Sequence, residues 1–579
     1  MSLQAGFGSL SLRAERGISL WTAVDSKWLR NRGVGGRKLR GEIPRCALPK
    51  VLREGGASVP PPWDRLKAGP LGPEAASLQG LKPLLHHGRW AAGLKPRPSV
   101  SLSSRPPVAL HRTAIFFLVS LLFAVASLAR DFPPQALAAK PLVLPSPSLR
   151  VLPNGLKVVA IERHGLPLMT LRLVVRAGAE SDPATLSGTA QLVAALLTEG
   201  TPTRSARQIA ETIDSIGGLV DTGAGWDESY ISLSVLNDHE ELAFDLLSDM
   251  VMHSSFFPAE FERKRRQTLS GLDVVHDDAD YVADAAVRQL AFHGTPYGHP
   301  EDGTMASVRR LTPEDLRAFY QAYYQPSNAI LAVVGDIQTS EAFERAEKWF
   351  GGWVNHTTAA KPAASPSAPH QVLAIDKEDA VQTEIRIGSL GVARDDPDYL
   401  ALSIADQILG GPSENRLFKA LRSHQGLTYG ASSELLAYRT AGVWLVKTFT
   451  RTPETLKSVH LALEQIKRMH DHPITAEELQ TAQGYLIGHL ALDFEASEDV
   501  ASHTVELLVY NLPLDYWNRF PEKIRALTAD QVWNAAGRRL AAENNIIVLV
   551  GNLSGFQKDL KKLGPVEFVP LGKVDFDSQ

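Results

Sequence analysis

Leu311-Thr312-Pro313-Glu314 through Asn328-Ala329-Ile330-Leu331-Ala332-Val333-Val334-Gly335-Asp336-Ile337 is the stretch on which the fold turns, because Leu527-Thr528 through Gly551-Asn552-Leu553 repeats it without a gap. Asn328, Ile330, Val334 and Gly335 return as Asn544, Ile546, Val550 and Gly551 at one constant offset, which chance rarely produces over so short a window. In each copy a helical segment ends and an apolar strand begins. Two copies are too few for a solenoid and point instead to a duplicated domain.

Upstream of the first copy, Leu152-Pro153-Asn154-Gly155-Leu156-Lys157 and the apolar Val158–Ile161 read as a turn feeding a strand. A second strand is expected over Leu168–Arg176, then a loop from Gly178 to Gly188 and an apolar helix ending near Glu199-Gly200. Ile231, Leu233 and Val235 alternate strictly within Tyr230–Leu236, marking a strand among segments of helical pattern that fill much of 203–325. This mixture predicts an α+β fold. The Ala-, Pro-, Ser- and Thr-rich segment 356–369 is the natural linker, so one half is placed at 145–355 and the other at 370–575.

At 579 residues the chain exceeds what one core organises, and 60 basic against 64 acidic residues give no electrostatic reason to expect a nucleic-acid partner. The single cysteine, Cys46, can form neither an internal disulfide nor a cysteine-rich metal site. Residues 1–110 are basic, acid-poor and without apolar period, which reads as a disordered or spurious leader or an organellar transit segment. Residues 111–138 have the layout of a secretory signal. His111-Arg112 precede the uncharged run 114–129, and small residues follow it at Ala136-Leu137-Ala138. The run serves as a cleaved signal or a membrane anchor, and the expected location is periplasmic or otherwise exported, with an organelle as the alternative.

From residue 145 onward the chain resembles the insulinase/pitrilysin family of zinc peptidases, in its short, mitochondrial-processing-peptidase-like branch. The resemblance is carried by Leu152–Lys157, by Pro296-Tyr297-Gly298-His299-Pro300 with Gly303, by the repeated segments, and by Leu409-Gly410-Gly411 with Arg416-Leu417. It implies two homologous metallohydrolase-like halves, each a mainly antiparallel sheet packed with helices.

Active members of that family carry His-x-x-Glu-His on the first helix of the first half, where two histidines ligate zinc and the glutamate activates its water. Here Gln191, Ala194 and Ala195 stand at those positions. The family's third ligand is a glutamate on a later helix, and the corresponding stretch, Gln267–Leu272, holds no carboxylate. Asp273 is close in sequence but turned to another helix face. The resemblance thus implies a zinc site that has been lost, with no metal and no cofactor bound by this chain. Two other clusters, His276–Asp280 and His470-Asp471-His472, are read as solvated helix ends rather than ion sites.

The second half retains Leu421-Arg422-Ser423-His424-Gln425-Gly426-Leu427-Thr428-Tyr429-Gly430. In the family an Arg and a Tyr at this spacing hydrogen-bond the substrate backbone near the scissile bond, and Arg422 and Tyr429 match that pattern. Guanidinium and phenol donors suit a carbonyl oxygen that gains charge. The resemblance implies a non-catalytic, substrate-binding subunit of a heterodimeric zinc metalloendopeptidase acting on peptides or unfolded proteins, whose homologous partner bears the zinc. The alternative is a structural scaffold related to the core proteins of respiratory complexes.

Overall fold

A computed structural model describes residues 144–356, 370–412, 415–543 and 545–577. The leader, the 111–138 segment and residues 357–369 of the linker lie outside the described residues.

The first half builds β1 (Ser148–Val151), β2 (Lys157–Glu162), β3 (Leu168–Val175), β4 (Leu219–Ala224), β5 (Ser229–Leu236) and β6 (Ala329–Gly335). The second builds β7 (Gln371–Asp376), β8 (Gln382–Leu390), β9 (Ala431–Ala437), β10 (Gly442–Arg451), β11 (Ile546–Gly551) and β12 (Val566–Pro570). They form two six-stranded sheets, ordered β1-β2-β6-β3-β5-β4 and β12-β7-β11-β8-β10-β9. Apart from one added strand at the first edge of each, the two orders are the same. Pairing is parallel between β2 and β6, β7 and β11, and β7 and β12, and antiparallel elsewhere. The expected α+β architecture of two like halves is what the chain adopts.

The repeat has a local cause. Thr312 caps the helix Pro313–Tyr323 by accepting from the Asp315 N–H, and Thr528 caps Ala529–Arg539 by accepting from the Gln531 N–H. Each is a capping box, with the third helical residue reaching back to the cap. The strands that follow, β6 and β11, are buried along their whole length, which is why both read as unbroken apolar runs.

The halves also exchange a helix. Ala279–Ala291, from the first half, lies against β8 and β11, while Ser497–Val509, from the second, lies against β3 and β6. Val159, Ile161, Val174, Ile330 and Val334 therefore share a core with Val500, Ala501 and Val505. The opposite face of the first sheet packs on that half's own helices, including Thr189–Leu196 and Glu240–Met252. That first helix stops at Leu196, short of the expected Glu199-Gly200. Leu197 N–H bonds to Ala194 O, and Gly200 at φ +121° starts a different path, bridging to Ser205.

Candidate functional site

The helix Thr189–Leu196 starts from Gly188, whose left-handed φ of +87° and close approach to the Asp302 carbonyl leave no room for a side chain. The Asp182 carboxylate takes the place of a capping side chain, accepting from Gly188 N–H at 2.7 Å and Ala190 N–H at 2.8 Å. One turn on, the Gln191 side-chain oxygen accepts the backbone N–H of Ala224 at 2.7 Å, tying the helix to the edge strand β4. Ala194 is fully buried and Ala195 half-buried.

Zinc is the metal this fold family implies, and the donor set at these positions does not fit it. One amide oxygen is engaged with the backbone, and the two methyl groups have no lone pair. Gln267–Leu272 lies in the helix Pro258–Val275, and Asp273 on the same helix is exposed. Among the described residues no group of three His, Cys, Asp or Glu side chains comes together as a ligand set.

The two other histidine clusters are solvated in part, as expected, with His472, Asp277 and Asp278 exposed, but one ring in each is withdrawn from water. His276 packs between Tyr281 and Phe576, and burial lowers its pKa. Asp280, beside it in sequence, is bound by Arg386 of β8. His470 buries its Nε2, and the Trp533 indole donates to the His470 carbonyl at 3.1 Å.

The second half sets out its candidate residues on a segment of unusual backbone. Phe418–Ser423 winds as a π-helix, with His424 N–H reaching back to Lys419 O at 3.0 Å. Such windings are rare and occur often at functional sites. Asn415 caps the entry by accepting Phe418 N–H at 2.7 Å, and Arg416 anchors it to Glu478 at 2.7 Å. Gly426, at φ +59°, ends the helix in the left-handed conformation that glycine accepts, and the chain turns into β9. Thr448 and Thr450 of β10 fix that turn by donating to Gly430 O and Leu427 O.

This turn brings Arg422 and Tyr429 together. Arg422 Nη1 donates to the Tyr429 carbonyl at 2.8 Å, and the guanidinium lies 4.8 Å from the Phe418 ring centre. The Tyr429 ring is not part of a buried strand, because it precedes β9 and is 78% exposed. Arg422 thus has one donor engaged and a ring beneath it, while the phenol stands in solvent. Gln191, Ala194 and Ala195 belong to the other half, and no hydrogen bond or ion pair joins them to Arg422 or Tyr429 among the described residues.

Several charged groups on the inner face of the second sheet escaped the sequence reading. Arg386, with 2% of its side chain exposed, is bound by Asp280 and Asp284 of the exchanged helix and by Glu384. Lys447 bridges Asp284 at 2.9 Å and Glu434 at 3.0 Å. Alternation in β8 and β10 could have put Glu384, Arg386, Lys447 and Phe449 on one face; only the helix exchange makes that face interior.

Residues 157–304 match the insulinase family (peptidase family M16), and residues 310–486 match the peptidase M16 inactive domain, together more than half of the chain. The chain is similar to the uncharacterized zinc protease YmxG of Bacillus subtilis, with 24% identity over 402 residues, 69% of this chain and 96% of that protein. It is also similar to an uncharacterized zinc protease of Mycobacterium leprae, with 28% identity over 349 residues, 60% of this chain and 78% of that one. Among solved structures, a peptidase M16 inactive domain from Pseudomonas fluorescens superposes with a TM-score of 0.67 at 28% identity, covering 70% of this chain and 98% of the other. With two like halves in the order these matches follow, the chain belongs to the insulinase/pitrilysin family, peptidase family M16.

Proposed function

We propose that this chain is the non-catalytic, substrate-binding subunit of a heterodimeric zinc metallopeptidase that acts on peptides or unfolded proteins. The observation that carries the reading is the contrast between its two candidate sites. Gln191, Ala194 and Ala195 offer no ligand set, whereas Arg422 is braced on the Tyr429 carbonyl and Phe418 with the Tyr429 phenol exposed beside it. The similarity to a peptidase M16 inactive domain from Pseudomonas fluorescens agrees with a chain that does not cleave by itself.

In this reading Arg422 and Tyr429 donate to a carbonyl oxygen of an extended peptide, which orients the bond to be cut. Zinc and the cleavage step belong to a homologous partner with an intact His-x-x-Glu-His helix. Export is part of the proposal. N-terminal sequencing of the natural protein is expected to find its start between about residues 130 and 145, after the apolar run 114–129.

The test is reconstitution with the zinc-bearing homologue from the same organism. The expected result is a complex that cleaves an unstructured peptide far faster than either chain alone. Equal activity of the partner with and without this chain would overturn the proposal, and a stable non-proteolytic membrane complex would favour the scaffold reading instead.

A further inference from the structure

Arg416 and Arg422 lie on one helical segment, and only the first is fully engaged. Arg416 donates through Nη1 to the Arg468 carbonyl at 3.1 Å, while its Nε and Nη2 take the two oxygens of Glu478 at 2.7 and 3.0 Å. Arg422 repeats the first of these contacts, donating through Nη1 to the Tyr429 carbonyl at 2.8 Å. It does not repeat the second. Its Nε and Nη2 meet no acceptor among the described residues, and the residue is exposed.

The open edge is nonetheless held in place. Phe418 underlies the guanidinium, with its ring centre 4.8 Å away. In an α-helix residues four apart are offset by about 40° around the axis. The i→i+5 winding of Phe418–Ser423 takes more residues per turn, which narrows that offset and brings Arg422 more nearly in line with Phe418. Both braces, a carbonyl and an aromatic ring, are neutral, and no carboxylate among the described residues pairs with Arg422. Its charge therefore stays uncompensated, with one side of the guanidinium fixed and two parallel N–H donors open on the other.

Glu478 on Arg416 shows what such an edge takes: the two oxygens of one carboxylate. A carbonyl within a peptide offers a single neutral oxygen, which uses the edge incompletely and leaves the charge unmatched. Hydrolysis changes that group. One water adds across the broken amide; its oxygen bonds to the carbonyl carbon and both its protons end on the departing nitrogen. The N-terminal fragment acquires a carboxylate and the other fragment an ammonium group.

We infer that the Nε–Nη2 edge of Arg422 binds the new C-terminal carboxylate of a cleaved peptide. The inference rests on the substrate-binding reading, and it adds which species this chain holds most tightly: the N-terminal product rather than the intact peptide. Release of that fragment is then the step that Arg422 slows.

The experiment is fluorescence anisotropy with the purified protein and three dye-labelled unstructured peptides. The first ends in a free carboxylate, the second has the same sequence and ends in a carboxamide, and the third replaces the last residue of the second with glutamate. The free carboxylate is expected to bind about three- to tenfold more tightly than the carboxamide, the range for a well-oriented charge-assisted pair in contact with water. Arg422→Lys keeps the charge but not the two parallel donors, and is expected to remove most of that preference. Equal binding of the first two peptides by the unaltered protein would overturn the inference and leave the substrate-binding reading standing. A preference undiminished in Arg422→Lys would show that the carboxylate is read elsewhere, which also overturns it. Binding of the third peptide as tight as that of the first would put the carboxylate on a side chain and overturn the product assignment. Failure to bind any of the three would overturn both the inference and the substrate-binding reading.

Discussion

Arg172 of β3 donates through Nη1 to the Glu498 carboxylate at 2.8 Å, across the boundary between the halves. Its counterpart is Arg386, 214 positions later on β8, which binds Asp284, a residue 214 positions before Glu498. Each sheet thus sets an arginine on its inner face, and each arginine is met by an acid on the helix that the other half contributes. Arg172 also lies 3.9 Å from the Tyr230 ring centre, and the other Glu498 oxygen accepts from Ser232.

The two clamps differ in burial, and their removal should differ accordingly. Arg386→Met leaves Asp284 and Glu384 buried with only partial compensation from Lys447 and Arg288, an expected cost of roughly 3–5 kcal/mol. Arg172→Met leaves Glu498, whose side chain is 39% exposed, able to reach water, so about 1–2 kcal/mol is expected. Urea unfolding of both variants checks this, and the opposite order would contradict it.

Elemental analysis of the purified protein is expected to find no stoichiometric zinc. Restoring the family motif with Gln191→His, Ala194→Glu and Ala195→His is expected to destabilise the protein rather than activate it. Ala194 is fully buried, so a glutamate there inserts both volume and charge into the core, at a cost of roughly 2–5 kcal/mol. Gln191→His also releases the Ala224 N–H. A triple variant with unchanged melting temperature and chelator-sensitive peptidase activity would contradict both statements.

In the reconstituted heterodimer, Tyr429→Phe removes one O–H donor and leaves the ring. If that donor supports developing charge on the substrate carbonyl, kcat should fall by roughly ten- to a thousandfold with KM nearly unchanged. Arg422→Ala removes a donor fork and also loosens the turn braced at the Tyr429 carbonyl, so kcat and KM should both suffer. Steady-state cleavage, with complex formation checked separately, distinguishes these outcomes. Unchanged kcat/KM in both variants would return the segment to a purely structural role.

Two carboxylates with opposite shifts predict opposite limbs of the pH–stability curve. Burial raises Glu384 from 4.5 to about 7, so the folded chain holds a proton that the unfolded chain releases. Its contribution is complete below about pH 4.5 and is lost as the pH rises through about 7. For Glu478 burial opposes ionisation, but Arg416 and the Thr475 cap hold its carboxyl down at about 2. That contribution is present above about pH 4.5 and is lost as the pH falls toward about 2. Thermal unfolding of Glu384→Gln should show a flatter decline between about pH 5 and 7, and Glu478→Gln a flatter acid limb. Parallel curves for either variant and the unaltered protein would contradict the assignment.

Much of the architecture was legible because it depends on short-range chemistry. Thr312 and Thr528 begin helices since a hydroxyl three residues before Asp315 or Gln531 can satisfy an otherwise unpaired N–H. Strands β6 and β11 follow from unbroken apolar runs, and the spacing of Arg422 and Tyr429 could be matched to a family pattern directly. The helix exchange was not legible. Ala279–Ala291 and Ser497–Val509 have ordinary helical patterns, and which sheet each covers depends on contacts far apart along the chain. Arg172, Arg386 and Glu384 sit among strand residues where a charge normally signals an exposed face; only the helix from the other half encloses them. The sequence by itself therefore determined the two halves, their strand-forming segments and which residues stand at positions 191, 194 and 195. The tertiary structure alone decided which charges are buried and what they face, because burial is a property of the assembled layers and not of any one segment.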